Sequence, residues 1–331
     1  MQESHLKTVE AYRQLKNINA QSHAIRTAVK NGVIGQLREG QRTLEQLASA
    51  CEVNPEPLKL LLEVLKQSGL VEQYEDDYAL AHVGQVFPSE LEDLGDRYWE
   101  HLDHWLNQGE TIPSNKSTEL DHSDFEVEHS FESWLSTPAA LETSEVLGIG
   151  KERKGLQILD LYCGSGVFSL VILHQDSTSR ATMVDRPERM VPAKQHAGGL
   201  TDSEYIQWIE QDPADAEFPE SAFDLCLVAR HIHRLPAKQL PTLFSRISRA
   251  LKPGGTLAIV DIFPGQEKGE LSRVVSELEL ALRTDGQAMH TPALLQEELT
   301  KAGYKDIQFA HLPAPPQLYG ILVAKNGDAE A

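Results

Sequence analysis

Apolar positions change period along this chain, and the change comes near residue 155. Before it the spacing is helical. Ala24, Ile25, Ala28 and Val29, then Val33, Ile34 and Leu37, recur at three- and four-residue steps and predict helices through residues 5–50. Thr43, followed three residues on by Gln46, predicts a helix start with reciprocal capping. After a turn at Val53-Asn54-Pro55, Glu56–Ser68 carries Leu58, Leu61, Leu62 and Leu65 on one face, and Gly69 is its stop. Leu70–Tyr74, an acidic turn and Tyr78-Ala79-Leu80 predict a short hairpin. Three helices followed by a hairpin is the order of a winged helix.

From Leu156 onward, continuous apolar strands alternate with helices. Strands are expected at Leu156–Tyr162, Ala181–Val184, Ile206–Glu210, Leu225–Ala229, Thr256–Ile262 and Gln317–Ala324. Helices are expected around Val167–His174, Pro236–Ala250 and Pro292–Ala302. Strands apolar throughout and separated by helices predict an α/β fold, a doubly wound, mainly parallel sheet covered on both faces.

Composition narrows the functional classes. The 331 residues hold 50 acids against 30 bases, a formal charge of −20. That balance disfavours sequence-independent binding to nucleic acid, which needs basic surface to displace counterions. The leucine-rich third helix of the winged helix, with Lys59 and Lys66 around Glu63, likewise offers no basic recognition surface, so packing or dimerisation is the expected role. No apolar run is long enough for a membrane span, and the charged first thirty residues do not read as a secretory signal. Cys51, Cys163 and Cys226 are isolated and lack metal-ligand spacing, which points to a reducing cytoplasmic compartment and no metal. Between 84 and 135 the chain is acidic, with Trp99, His101, His104 and Trp105 at helical spacing. These suit either a substrate pocket or, preferably, a packed helix face. A loop is expected over Gly109–Thr118.

In a doubly wound sheet, ligands sit beyond the carboxyl ends of the strands. The first strand runs through Asp160 into Tyr162-Cys163-Gly164-Ser165-Gly166 and then a helix. Glycines there let backbone approach a ligand, and the helix start offers free N–H groups. Only Gly164-x-Gly166 of a dinucleotide fingerprint is present; Phe168 and Ser169 occupy the region of its third glycine. Asp185, ending the second strand, can accept both hydroxyls of a ribose or can cap the turn at Pro187. Asp212, after the third strand, is placed to accept from an adenine amino group.

Three acids at successive strand ends beside a glycine turn resemble the class I S-adenosylmethionine (SAM) methyltransferases. The resemblance extends over nearly the whole chain to the dimeric small-molecule O-methyltransferases, among them the hydroxyneurosporene and polyketide enzymes. It rests on Val184-Asp185-Arg186-Pro187, Gln211-Asp212, Leu251-Lys252-Pro253-Gly254-Gly255 and the stretch from Thr291 through Ala302-Gly303-Tyr304. It implies a winged-helix dimerisation domain over 1–100, a helical linker contributing to the substrate pocket over 101–153, and a SAM-binding domain over 154–326. The implied cofactor residues are Asp160, Tyr162, Gly164 and Gly166 at the first turn. Asp185 and Arg186 follow at the second, with Asp212, Pro213 and Ala229 beyond.

His233, in Arg230-His231-Ile232-His233-Arg234-Leu235, falls on the family's catalytic histidine. An imidazole suits removal of a hydroxyl proton at neutral pH. Asp261 stands where relatives often carry the carboxylate flanking that histidine. The structural alternatives are a capping or core histidine and a plain strand-end acid. Tyr162 replaces the first glycine of the usual triplet, Ala229 replaces a polar residue, Arg234-Leu235 replaces Asp-Trp, and Met289-His290-Thr291 lacks the usual acid and arginine. The cofactor pocket thus reads as mostly retained and the acceptor pocket as reworked. Expected partners are a small-molecule acceptor and a second copy of the chain. The alternatives are a non-methylating SAM-binding relative, a ligand-sensing regulator, and an RNA methyltransferase, the last suggested by Asp160-Leu161-Tyr162-Cys163-Gly164-Ser165-Gly166.

Overall fold

The computed structural model describes residues 2–86, 96–109, 122–200, 205–263, 270–283, 289–314 and 319–327. Its contacts divide the chain into two compact units, Met1–Asp96 and Arg97–Ala331. The loop expected over Gly109–Thr118 lies, apart from Gly109, outside the described residues.

In the first unit, helices α1 (Gln2–Lys30), α2 (Val33–Glu39), α3 (Leu44–Ala50) and α4 (Pro55–Gln67) precede the antiparallel hairpin β2 (Val71–Tyr74) and β3 (Asp77–Leu80). A two-residue strand β1 (Arg42–Thr43) pairs with β3. The helix starts follow from their caps. Gln46 N donates to Thr43 Oγ1 (3.3 Å) while Thr43 N donates to Gln46 Oε1 (2.9 Å). At α4, Glu56 N donates to Asn54 Oδ1 (3.1 Å), and Pro55 fills a position whose missing N–H is no loss. Leu58, Leu62 and Leu65 of α4 are buried with Ile34, Leu47, Val71 and Leu80, whereas Leu61 of the expected face is half-buried.

The second unit carries a seven-stranded sheet: β4 (Gln157–Leu161), β5 (Arg180–Asp185), β6 (Ile206–Glu210), β7 (Phe223–Ala229), β8 (Leu251–Asp261), β9 (Lys305–Leu312) and β10 (Tyr319–Lys325), in the order β6-β5-β4-β7-β8-β10-β9. The first five are parallel neighbours; β10 runs antiparallel to both β8 and β9. Alternate residues feed two cores. Ile158, Met183, Leu225, Leu227 and Val260 face one, and Leu159, Leu161, Cys226, Val228 and Ile259 face the other. Burial on both faces explains why these strands are apolar throughout.

Two departures have local causes. The expected helix Pro236–Ala250 begins as a 3₁₀ turn, Ala237–Gln239, and becomes α-helical at Leu240–Ala250, with Pro241 in its first turn. Edge strand β9 is absent from the sequence reading because Ile307 and Phe309 are only half-buried between exposed neighbours, and the buried Leu312 falls out of their alternation. The helix His122–Val146 packs along the helix Val167–Gln175, with Ala139 and Ala140 in the sheet's core. Trp99 and Trp105 are half-buried and His104 is exposed, so this stretch does not form a deeply packed face.

Candidate functional site

The turn after β4 builds the site. Leaving the strand, Tyr162 N and Cys163 N both donate to Val184 O (2.9 and 3.3 Å), which ties the turn to the end of β5. Tyr162 takes φ 59°, uncommon for a residue with a side chain, and Gly164 and Gly166 take φ 52° and 72°. A Cβ on Gly166 would lie 2.5 Å from Met183 Cε and displace that side chain's end, but it is the backbone angle that requires glycine there. Gly166 then caps the helix Val167–Gln175.

Asp185 is buried beneath this turn. Its Oδ2 accepts from Gly164 N (3.0 Å) and its Oδ1 from Arg186 N (2.8 Å). Asp160, also buried, accepts from Ser169 Oγ (2.6 Å). Burial is the main force on it and pushes its carboxyl up to about 7; the hydroxyl bond opposes this and the nearby Asp185 charge adds to it. Asp212 accepts from Ala214 N (2.9 Å) and Arg186 Nε (2.9 Å). Burial would raise it, but these bonds and the guanidinium charge hold it below the usual carboxylate range. Pro213 O accepts from Arg246 (2.9 Å).

A cleft lies between the glycine turn and the end of β7. Tyr162, Gly164, Asp185 and Ala229 are on its wall, joined by residues that sequence reasoning had not assigned: Ser136, Phe168, Arg189, Arg230, His231 and Arg234. His231 lies flat on Tyr162, ring centroids 3.7 Å apart and planes 6° from parallel. Burial, then the charges of Arg234 and Arg189, keeps His231 neutral, while burial pushes the Tyr162 hydroxyl up to about 12. The run Arg230-His231 was a usable signal, because it directly follows a strand end. Ser136 carried none, since it arrives from a distant helix.

His233 and Asp261 meet at the ends of β7 and β8. His233 Nδ1 is 2.7 Å from Asp261 Oδ1, and His233 N donates to Asp261 Oδ2 (3.1 Å). Burial would raise Asp261, but the imidazole and the N–H of Ile262 (2.8 Å) hold it low. Against an ionised carboxylate Nδ1 is the donor, which leaves the lone pair on Nε2. The side chain of His233 is 12% exposed, against 1% for Asp261. Arg234, on the cleft wall, donates from Nε to His233 Nε2 at 3.4 Å. The structure therefore gathers Tyr162, Gly164, Asp185 and Ala229 around the cleft. Asp160 and Gly166 lie behind the turn, Arg186, Asp212 and Pro213 lie to one side, and His233 reaches the cleft through Arg234.

Residues 158–255 match a family model described as a methyltransferase domain. The second unit thus contains a segment similar to a methyltransferase domain. The 2-phytyl-1,4-naphtoquinone methyltransferase of Synechococcus elongatus is 30% identical over 33% of this chain, which spans only 47% of that relative's length. The tetracenomycin polyketide synthesis 8-O-methyl transferase of Streptomyces glaucescens is 22% identical over 90% of this chain and 91% of its own. Human N-acetylserotonin methyltransferase, solved in complex with SAM, superposes with a TM-score of 0.74, 22% identity and coverage of 96% of this chain and 98% of that one. At that identity the superposition establishes the fold alone: a helical N-terminal region followed by a Rossmann-like domain.

The residues present suit SAM. Asp185, held at the strand end by the N–H groups of Gly164 and Arg186, presents a carboxylate of the kind that accepts the hydroxyls of a ribose diol. The glycine turn brings backbone to the cleft, and Phe168 and the Tyr162–His231 pair give it apolar walls. Among the described residues, no helix is long and apolar enough to cross a membrane.

The position of Asp160 sets a pH expectation. Its folded-state value near 7 exceeds the ordinary 3.8, so the folded chain holds a proton that the unfolded chain loses. Stability from this group is full below about pH 4 and falls as pH rises toward 7. Asp160→Asn keeps an acceptor for Ser169 without the charge. Measured against wild type by thermal unfolding, its midpoint is expected to gain a few degrees between pH 5 and 8, at about 2–4 °C per kcal/mol. Parallel pH curves would show that Asp160 does not titrate there.

Proposed function

We propose that this methyltransferase moves a methyl group from SAM to a hydroxyl of a small molecule, with His233 as general base and Asp261 holding it. The observation that carries the proposal is the Asp261–His233 pair, 2.7 Å apart at the strand ends beside the glycine-turn cleft. When bound, SAM supplies an electrophilic methyl group on a positively charged sulfur. With SAM bound, the acceptor's hydroxyl proton would pass to His233 Nε2 as its oxygen takes the methyl group and the displaced electron pair stays on sulfur. Asp261 stabilises the resulting imidazolium. Alignment of oxygen, carbon and sulfur contributes at least as much as the base.

In this reading Asp185 takes the ribose hydroxyls, with Arg186 beside it, and Gly164 and Gly166 bring backbone to the methionine end. Asp160 supports the turn from behind with Tyr162 and Ala229 on the wall, and Asp212 and Pro213 border the adenine. The polyketide and quinone acceptors of the relatives favour a hydroxylated aromatic or polyketide acceptor. Transfer of labelled methyl from SAM to a panel of hydroxylated aromatics, lost in His233→Ala, is the test; incorporation that survives the substitution would overturn the assignment of the base.

The same proposal includes a homodimer formed through the first unit. On α1, Leu6, Tyr12, Leu15 and Ile18 are 60–66% exposed, with Val9 among them, more apolar surface than a helix alone in water ordinarily carries. A second copy of the same helix supplies a matching face. In sedimentation velocity at micromolar concentration, the wild type is expected to run as a dimer and Leu15→Glu/Ile18→Glu as a folded monomer. A monomeric wild type would sink the dimer.

A further inference from the structure

We infer that the acceptor presents a carboxylate beside its reacting hydroxyl, and that Arg234, with Arg230 and Arg189 lining the same cleft, selects for that charge. This inference rests on the methyltransferase reading and deepens it.

The first support is charge placement. In a chain of formal charge −20, three arginines line one cleft, and Asp185 is the one carboxylate among its described lining residues. Both oxygens of Asp185 already face backbone N–H groups. Apart from the carboxylate of Asp185 at its ribose end, the charged groups on this wall are guanidiniums, although the chain as a whole is acidic.

The second support is the way these guanidiniums are held. Arg230 sits at φ 54°, a strained angle for a residue with a Cβ, and is fixed there by its N–H bond to Val260 O (2.7 Å). Its Nη1 donates to Tyr319 Oη (2.6 Å) and Ser136 Oγ (3.0 Å), so strand β10 and the helix His122–Val146 both anchor it. Backbone strain that aims an anchored guanidinium at a cleft is expected where the guanidinium serves a ligand. Arg234 is placed more tellingly. Its Nε lies 3.4 Å from His233 Nε2, the atom that would receive the acceptor's proton. A hydroxyl that reaches this nitrogen arrives against a guanidinium, whose planar donors match a carboxylate in the adjacent position. The flat Tyr162–His231 pair supplies an aromatic wall across the same cleft.

A carboxylate can come from two sources, the acceptor or the amino-acid end of the cofactor, and the experiment separates them. Protein saturated with S-adenosylhomocysteine is titrated calorimetrically with salicylate and with salicylamide, which share a ring and hydroxyl but differ in charge. Salicylate is expected to bind at least about tenfold more tightly, a difference in the range of a charge-assisted over a neutral hydrogen bond. Arg234→Gln should erase that preference, and Arg234→Lys should keep part of it, while S-adenosylhomocysteine affinity stays within about threefold. Equal binding of the two probes, or no salicylate binding at 20 mM (roughly the weak limit for a fragment), overturns the inference. So does an Arg234→Gln protein that loses S-adenosylhomocysteine but not salicylate, because its guanidinium would then serve the cofactor. Wild-type protein that binds no S-adenosylhomocysteine fails the methyltransferase reading itself; protein that binds it yet ignores salicylate fails only this inference.

Discussion

Replacing His233 by alanine is expected to reduce labelled-methyl transfer by two to four orders of magnitude, roughly the range for a positioned general base. Binding of S-adenosylhomocysteine should stay within a few-fold, because His233 is not among the cleft-lining residues and reaches the cleft only through Arg234. Asp261→Asn distinguishes a base held in place from a base alone. The amide keeps an oxygen for one donor but presents an NH2 group to the other, and His233 Nδ1, His233 N and Ile262 N all donate to the present carboxylate. The ring would lose its fixed tautomer, so turnover should fall while KM for the acceptor changes little. The pH profile decides between proton removal and simple packing. A base leaves an acid limb in kcat that vanishes with His233→Ala, whereas a packing role lowers the rate equally at every pH. Unchanged turnover would move proton removal elsewhere or to solvent.

The legible parts of the molecule were those where one residue type answers one local demand. Thr43 and Gln46 cap each other because the spacing of a first turn leaves them no better partners. The inner parallel strands showed themselves by their long apolar runs, since both faces are buried. Strand β9 escaped because this edge strand only half-buries Ile307 and Phe309 and buries Leu312 out of step with them, which sets no period. The site divides in the same way. Asp160, Asp185 and Asp212 stand at strand ends, where the fold puts ligands, and each could be placed from the sheet alone. The cleft wall could not. Ser136 comes from another helix, the stacking of His231 on Tyr162 depends on a left-handed turn, and the approach of Arg234 to His233 Nε2 depends on a 3₁₀ turn at Ile232–Arg234. Those are tertiary facts, with no trace in periodicity or spacing.

Asp185→Ala is expected to weaken S-adenosylhomocysteine binding at least about a hundredfold, close to abolition in a calorimetric titration. Two losses combine. The ribose diol loses its acceptor, and Gly164 N and Arg186 N lose theirs, so the glycine turn is no longer held in the shape that brings backbone to the ligand. Each buried donor left unpaired costs about 1–3 kcal/mol, and about 1.4 kcal/mol is a factor of ten in affinity. Asparagine does not rescue it, because its NH2 group would meet one of two N–H donors that the carboxylate now accepts from. The variant should also report on its neighbour. The charge of Asp185 is one of the forces raising Asp160, so its removal lets Asp160 ionise at lower pH, and the pH-dependent loss of stability should end at lower pH and be smaller than in wild type. That second readout separates a lost ligand contact from a collapsed turn. An Asp185→Ala protein with native thermal unfolding and S-adenosylhomocysteine affinity within threefold of wild type would show that this carboxylate neither braces the turn nor takes the ribose.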